Sequence, residues 1–152
     1  GGRVKRIRRY VGDEPFLLTY GDGVSDVDIG KLVEYHKQHG KYCTMTATNI
    51  GQRFGVLEIE ENGRISGFRE KSDSDGSMIN AGFMVCEPQV FDYIEGDSTV
   101  FEKAPLENLA KDRQLVAYKH DGFWQCMDTQ REKQKLEEMW ASGHAPWKVW
   151  ED

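Results

Sequence analysis

Phe16-Leu17-Leu18-Thr19-Tyr20-Gly21-Asp22-Gly23 is a short apolar run that stops at an acid between two glycines. Read as a buried strand, it carries Asp22 to the edge of a sheet. The flanking glycines let the backbone turn and let a bulky ligand come close. In open α/β sheets, ligands collect beyond the carboxyl ends of strands, which is where Asp22 falls. From these residues alone an ordinary Gly-Asp-Gly turn after a strand is the commoner reading.

What surrounds the run supports a sheet with helices. Val4, Ile7 and Val11 have helical spacing, with Arg3, Lys5, Arg6, Arg8 and Arg9 around them. Those cations are either a solvated helix face or an attraction for a phosphate-bearing ligand. Ser25-Asp26-Val27-Asp28 offers caps for a helix whose inner face is Ile29, Leu32, Val33 and His36, closed by Gly40. Tyr42 to Thr48 reads as a strand. Strand, helix, strand favours parallel pairing of the first and third elements through a right-handed crossover.

Farther on, 53–60 and 64–71 read as a hairpin about Glu61-Asn62-Gly63, and 72–77 as a polar loop. Met78 to Cys86 reads as a buried strand, Pro88 to Ile94 as a short helix, and Thr99 to Lys111 as a helix with a break at Pro105. Gln114 to His120 reads as a strand. Gly122 to Asp128 is a second apolar run ending at an acid. Thr129 to Ser142 reads as a charged helix that buries Leu136, Met139 and Trp140.

The totals exclude some classes of function. With a net charge of −6, nucleic acid and membrane surfaces are poor partners. No apolar run approaches the ~20 residues of a membrane span. The three cysteines, Cys43, Cys86 and Cys126, are scattered and sit in apolar settings. They read as reduced thiols of a cytoplasmic protein, with no zinc spacing.

Several residues can carry chemistry. Asp22 and Asp128 both end apolar runs, and two such carboxylates converging at a sheet edge would suit Mg²⁺, which takes oxygen ligands and substrate phosphates. Asp128 also reads as part of a helix start with Thr129. Asp26 and Asp28 form a D-x-D pair, the arrangement of metal-dependent glycosyltransferases, but read first as helix caps because the helical pattern starts right there. Glu70 could accept bonds from sugar hydroxyls and Lys71 could neutralise a phosphate, or the two form an exposed ion pair. Asn80, inside an apolar strand, needs partners for its amide, from nearby backbone or from a sugar. Gly82 and Gly55 could open space beside it.

In order, Tyr20-Gly21-Asp22-Gly23, Arg53-Phe54-Gly55, Glu70-Lys71, Ile79-Asn80-Ala81-Gly82-Phe83, Gly122 to Thr129 and Ala145-Pro146-Trp147-Lys148-Val149-Trp150 resemble the sugar-1-phosphate nucleotidyltransferases, most closely the glucose-1-phosphate cytidylyltransferases. The resemblance covers nearly the whole chain. It implies an α/β fold of the nucleotide-diphospho-sugar transferase type, Rossmann-like, with a mixed, mainly parallel sheet flanked by helices. It implies Asp22 and Asp128 as catalytic ligands of Mg²⁺, with Lys71 beside them in catalysis. Gly2, Arg3 and Gly21 would lie by the nucleotide or sugar, and Gly55, Glu70, Lys71 and Asn80 by glucose 1-phosphate. The partners implied are CTP and glucose 1-phosphate, in a cytoplasmic homo-oligomer.

Two departures stand out. Ser72 replaces the proline that usually follows Glu-Lys in the family. The family's opening strand and Gly-Gly-x-Gly-Thr-Arg triphosphate loop are absent from these 152 residues. Residues 1–152 are therefore expected to be the C-terminal portion of a single nucleotidyltransferase domain, lacking its N-terminal strands and inactive by itself. A metal-dependent glycosyltransferase and a non-catalytic sugar-nucleotide binding module are the alternatives.

Overall fold

The computed structural model describes residues 1–49, 56–59, 65–69 and 78–151. Its main sheet has four strands in the order β1-β6-β3-β7. These are β1 (Phe16–Thr19), β6 (Ile79–Cys86), β3 (Cys43–Thr48) and β7 (Leu115–His120). The sheet is mixed. β6 runs antiparallel to both β1 and β3, while β3 and β7 pair in parallel. The expected direct pairing of β1 with β3 is not found, because β6 lies between them. β1, β3 and β7 nonetheless run the same way, the sense in which the sheet is mainly parallel.

β1 is also not the fully buried strand its composition suggests. It is an edge strand in this sheet, and its burial alternates, with Leu17 56 % exposed. The apolar run therefore reflects one core face, Phe16 and Leu18, and one open face. Phe16 stacks on Phe91 at 5.0 Å between ring centroids. Cys43, Met84, Cys86, Val90, Phe91, Ile94, Phe101, Leu106 and Leu109 form the core around that contact. Each of its larger side chains contributes roughly 1.5–3 kcal/mol by leaving water. Cys43 and Cys86 face each other across β3 and β6 as free thiols, Sγ to Sγ 3.9 Å.

Helices cover the sheet where the capping residues put them. α1 (Gly2–Arg6) and α2 (Arg8–Val11) are one amphipathic segment broken at Ile7. Three of its cations dock it. Lys5 Nζ donates to the carbonyls of Ile94 and Glu95, Arg6 forks onto Asp97, and Arg8 pairs with Asp92. α3 (Ile29–His39) starts where Asp28 accepts from the Lys31 amide at 3.0 Å and ends at Gly40, whose φ of 62° suits glycine. A 3-10 turn spans Pro88–Tyr93. α4 (Ala104–Lys111) begins five residues later than expected, with Pro105 in its first turn, where its missing N–H costs nothing. α5 (Gln130–Ala141) buries Leu136 but leaves Trp140 53 % exposed, against expectation. No described helix is long and apolar enough to cross a membrane.

Two short ladders complete the described fold. β2 (Gly23–Ser25) pairs with β8 (Trp124–Cys126), and β4 (Val56–Ile59) with β5 (Ile65–Arg69), both antiparallel. The second matches the expected hairpin, whose 61–63 turn lies outside the described residues, as do 72–77.

α3 is fixed to the sheet by a polar chain that also orders its protons. His39 Nδ1 accepts from the Lys41 amide at 2.9 Å, so its Nε2 carries the proton and donates to Thr44 Oγ1 at 2.7 Å. The Thr44 hydroxyl then donates to His36 Nδ1 at 2.7 Å, and His36 Nε2 donates to Glu87 Oε1 at 3.0 Å. His36, expected as a helix-face residue, is on that face and only 2 % exposed. Burial first, then His36 and Lys41, hold the His39 pKa below its ordinary value. The unfolded chain therefore takes up this proton more readily than the folded one. Stability from this group is intact above the ordinary histidine pKa of about 6.5 and falls as pH drops through it. Denaturation midpoints at pH 8 and pH 5.5 should separate less in His39→Gln than in the parent protein.

Candidate functional site

The two acids that end the apolar runs arrive at the same place. In the β2–β8 ladder Gly23 faces Cys126 and Ser25 faces Trp124. One step beyond its end, the Met127 amide donates to the Asp22 carbonyl at 2.7 Å. Asp22 and Asp128 thus flank the same end of one ladder, and both are exposed. Gly21, next to Asp22, fronts open space, with nothing within 4 Å of where a Cβ would stand. The Asp22 carboxylate has no hydrogen bond or ion pair among the described residues. Asp128 lies in a cluster with Cys126 and Glu132, their ligating atoms within 4.8 Å of one another, and Asp22 is outside that group.

Glu132 in that cluster is already committed. It accepts from the amides of Asp128 at 3.0 Å and Thr129 at 2.9 Å, while Thr129 Oγ1 accepts from the Glu132 amide at 3.2 Å. This capping box starts α5, and Thr129, not Asp128, is its N-cap. The Thr129 hydroxyl above all holds the Glu132 carboxyl below its ordinary value. Burial first, then Glu132, push the Cys126 thiol up to about 11.

The ladder is tied to the main sheet at two points. Trp124 Nε1 donates to the Ala81 carbonyl at 2.8 Å. At the same Ser25–Trp124 end, away from the acids, His120 Nε2 lies 2.9 Å from Asp26 Oδ1 and 3.1 Å from Ser25 Oγ. The carbonyl Trp124 uses is free because β6 bulges there: its register against β3 jumps from Met45↔Met84 to Ala47↔Asn80. Gly82, inside the bulge, has φ 82°, and a Cβ on it would stand 2.8 Å from Tyr20 Cδ2.

The bulge also settles Asn80. Its Oδ1 accepts from the Gly82 amide at 2.8 Å, and its Nδ2 donates to Tyr20 Oη at 3.1 Å. Tyr20 Oη in turn donates to Glu102 Oε1 at 2.7 Å. Burial, then the bond to Glu102, raise the Tyr20 pKa far above its ordinary value. Both ends of the amide thus have protein partners, and half of its bonding capacity remains.

Gly1 and Gly2 pack against residues 97–101, just ahead of Glu102 in the chain, and Arg3 follows them. Gly2 is buried against the backbone of Asp97, which leaves no room for a Cβ, and its amide donates to the Thr99 carbonyl at 3.2 Å. That contact gives Gly2 a packing reason independent of any ligand. Arg3 is exposed and, unlike Lys5, Arg6 and Arg8, has no partner among the described residues. Gly55, Glu70 and Lys71 lie outside the described residues.

A family model described as nucleotidyl transferase matches residues 3–152. The chain belongs to the nucleotidyl transferase family. Glucose-1-phosphate cytidylyltransferases of Salmonella typhi and Salmonella typhimurium are each 52 % identical to it over 152 residues, which is 99 % of this chain and 59 % of theirs. HddC from Yersinia pseudotuberculosis superposes with a TM-score of 0.63 at 18 % identity, over 90 % of this chain and 60 % of that one. This likeness shows the fold, that of nucleotide-diphospho-sugar transferases. The chain spans 59 % of the length of its Salmonella relatives, so it corresponds to a portion of them. That share does not place it at their C-terminal end, and this part of the expectation is withdrawn.

In this nucleotidyl transferase chain the D-x-D pair serves the fold. Asp28 caps α3 and pairs with Lys31 at 3.2 Å, and Asp26 faces His120. Tyr20, Glu102, Trp124 and His120 form the site's framework and were not singled out from sequence as site residues. Only Tyr20 carried a signal, as the polar ending of an apolar strand. Gly82→Ala should destabilise the fold by at least about 1–2 kcal/mol, from left-handed backbone plus the Tyr20 contact. A thermal melt checks this, and an unchanged melting temperature would refute the strained-bulge assignment.

Proposed function

We propose that this chain is part of a glucose-1-phosphate cytidylyltransferase, which joins CTP and glucose 1-phosphate into CDP-glucose and pyrophosphate. The observation that carries the reading is the β2–β8 ladder, which sets Asp22 and Asp128 at one end of two strands about a hundred residues apart in sequence. The identity to the Salmonella cytidylyltransferases supports the choice of base and sugar. The free cysteines support a cytoplasmic setting.

The donor set fits a hard divalent cation: two exposed carboxylates, one of them unpartnered among the described residues, with open space beside Gly21 for phosphate oxygens and water. On this reading Asp22 and Asp128 hold Mg²⁺, which when bound supplies charge neutralisation at the α-phosphate. The phosphate oxygen of glucose 1-phosphate forms the new bond to the α-phosphorus. The α–β bridging bond breaks, and pyrophosphate leaves with its electron pair. A phosphate monoester is mostly ionised at neutral pH, its second pKa being about 6, so no general base is needed. The chain's task is then positioning and charge neutralisation. Lys71 neutralises the sugar phosphate. Glu70, Asn80 and Gly55 line the sugar, while Gly2, Arg3 and Gly21 lie by the nucleotide, with Arg3 offering a charge that no described residue pairs.

In the intact enzyme, Asp22→Asn and Asp128→Asn should each lower turnover on the order of a hundredfold or more. Asp28→Asn, which keeps the helix cap, should stay within a few-fold of the parent. Normal turnover in either of the first two variants would sink the metal assignment. EDTA should abolish CDP-glucose synthesis and excess Mg²⁺ restore it.

A further inference from the structure

We infer that Tyr20 is a positioning residue for sugar recognition: it fixes which way the Asn80 amide faces. The inference rests on the reading of Asn80 as a sugar contact and adds the group that orients it.

The direction of each bond follows from what each atom can do. A carboxylate only accepts, so the Tyr20 hydroxyl spends its one proton on Glu102 Oε1, 2.7 Å away. The Tyr20 oxygen then has only lone pairs left, and its neighbour at 3.1 Å must be a donor. That makes the neighbour Asn80 Nδ2. At the other end of the amide the Gly82 N–H can only donate, so the atom 2.8 Å from it must be Oδ1. The two ends agree independently, and the amide has one allowed orientation.

A flipped amide would point two donors at one another at the Gly82 end. It would also leave the lone pairs of Asn80 and Tyr20 facing at the other. Each mismatch costs the desolvation of a part-buried polar group. Glycine at 82 completes the device: with no Cβ the Tyr20 ring lies directly over the bulge.

What the locked amide still offers is one N–H on Nδ2 and one lone pair on Oδ1. The free N–H donates to a hydroxyl oxygen of the hexose, and the free lone pair accepts from a hydroxyl proton. Without the Tyr20 hydroxyl the amide can swing and present the wrong group at both places. A site built to match hydroxyls in this way discriminates by the cost of leaving polar groups unpaired.

The test uses the intact enzyme, with KM measured separately for CTP and for glucose 1-phosphate. Tyr20→Phe keeps the ring over Gly82 and removes only the hydroxyl. Its KM for glucose 1-phosphate should rise about fivefold to tenfold, the worth of roughly one oriented hydrogen bond. Its KM for CTP and its kcat should stay within about twofold. Glu102→Gln, which can still accept from Tyr20, should restore most of the affinity that Glu102→Ala loses. That second pair of variants carries the test if Tyr20→Phe does not fold. An equal rise in both KM values would overturn the inference, since a general loosening of the fold would do that. So would an unchanged sugar KM in Tyr20→Phe while Asn80→Ala raises it. No change in Asn80→Ala would remove the sugar contact itself, and the inference with it.

Discussion

The bulge in β6 is the constraint on which the site depends. A regular strand between β1 and β3 would spend every amide and carbonyl on its two neighbours. By slipping register between Met84 and Asn80, β6 frees two backbone groups in the middle of the sheet. The Ala81 carbonyl takes the Trp124 indole, and the Gly82 amide takes the Asn80 side chain. One irregularity thus anchors the ladder that bears the acids and turns the strand's polar side chain. Glycine at position 82 makes the irregularity tolerable, because its backbone is left-handed and Tyr20 occupies the space beside it.

Around this centre, charged residues do structural work that sequence suggests for ligands. Lys5, Arg6 and Arg8 hold α1 and α2 to residues 92–97, and Arg6 keeps the Asp97 carboxyl below its ordinary value. These pairs are exposed, so their net contribution is small and falls with salt. What they settle is where the segment lies. The same division holds among the acids: Asp26, Asp28 and Glu132 face internal partners, whereas Asp22 faces none among the described residues.

Local signals made much of this legible in the sequence. Asp28 and Gly40 bound α3, Thr129 opens α5, and 43–48, with a β-branched threonine at every second position, forms a strand, all because capping and alternation act over a few residues. The nonlocal facts were not legible. The burial of β1 could not be read because Leu17 and Leu18 look alike whether one face or two are covered. The insertion of β6 between β1 and β3 depends on pairings such as Phe16 with Cys86 and Cys43 with Cys86, between residues distant in sequence, which no local pattern encodes. For the site, Asp22 and Asp128 were visible as apolar runs ending in acids, and the ladder that unites them was not. Tyr20's role follows only once Glu102, distant in sequence, is seen at its hydroxyl.

The ladder that bears the acids is tied to the sheet chiefly by directional contacts: an indole N–H on a carbonyl, and an imidazole nitrogen beside the Ser25 hydroxyl and the Phe123 carbonyl. Such bonds fix angle and distance, whereas apolar packing tolerates sliding and substitution. The core around Phe91 and the acid-bearing end therefore tolerate change differently, although Tyr20, packed against that core two residues before Asp22, joins them. Over evolutionary time, exchanging one core hydrophobe for another costs melting temperature before it costs alignment of Asp22 with Asp128. A lineage could in this way retune its thermal range while its chemistry stayed in register.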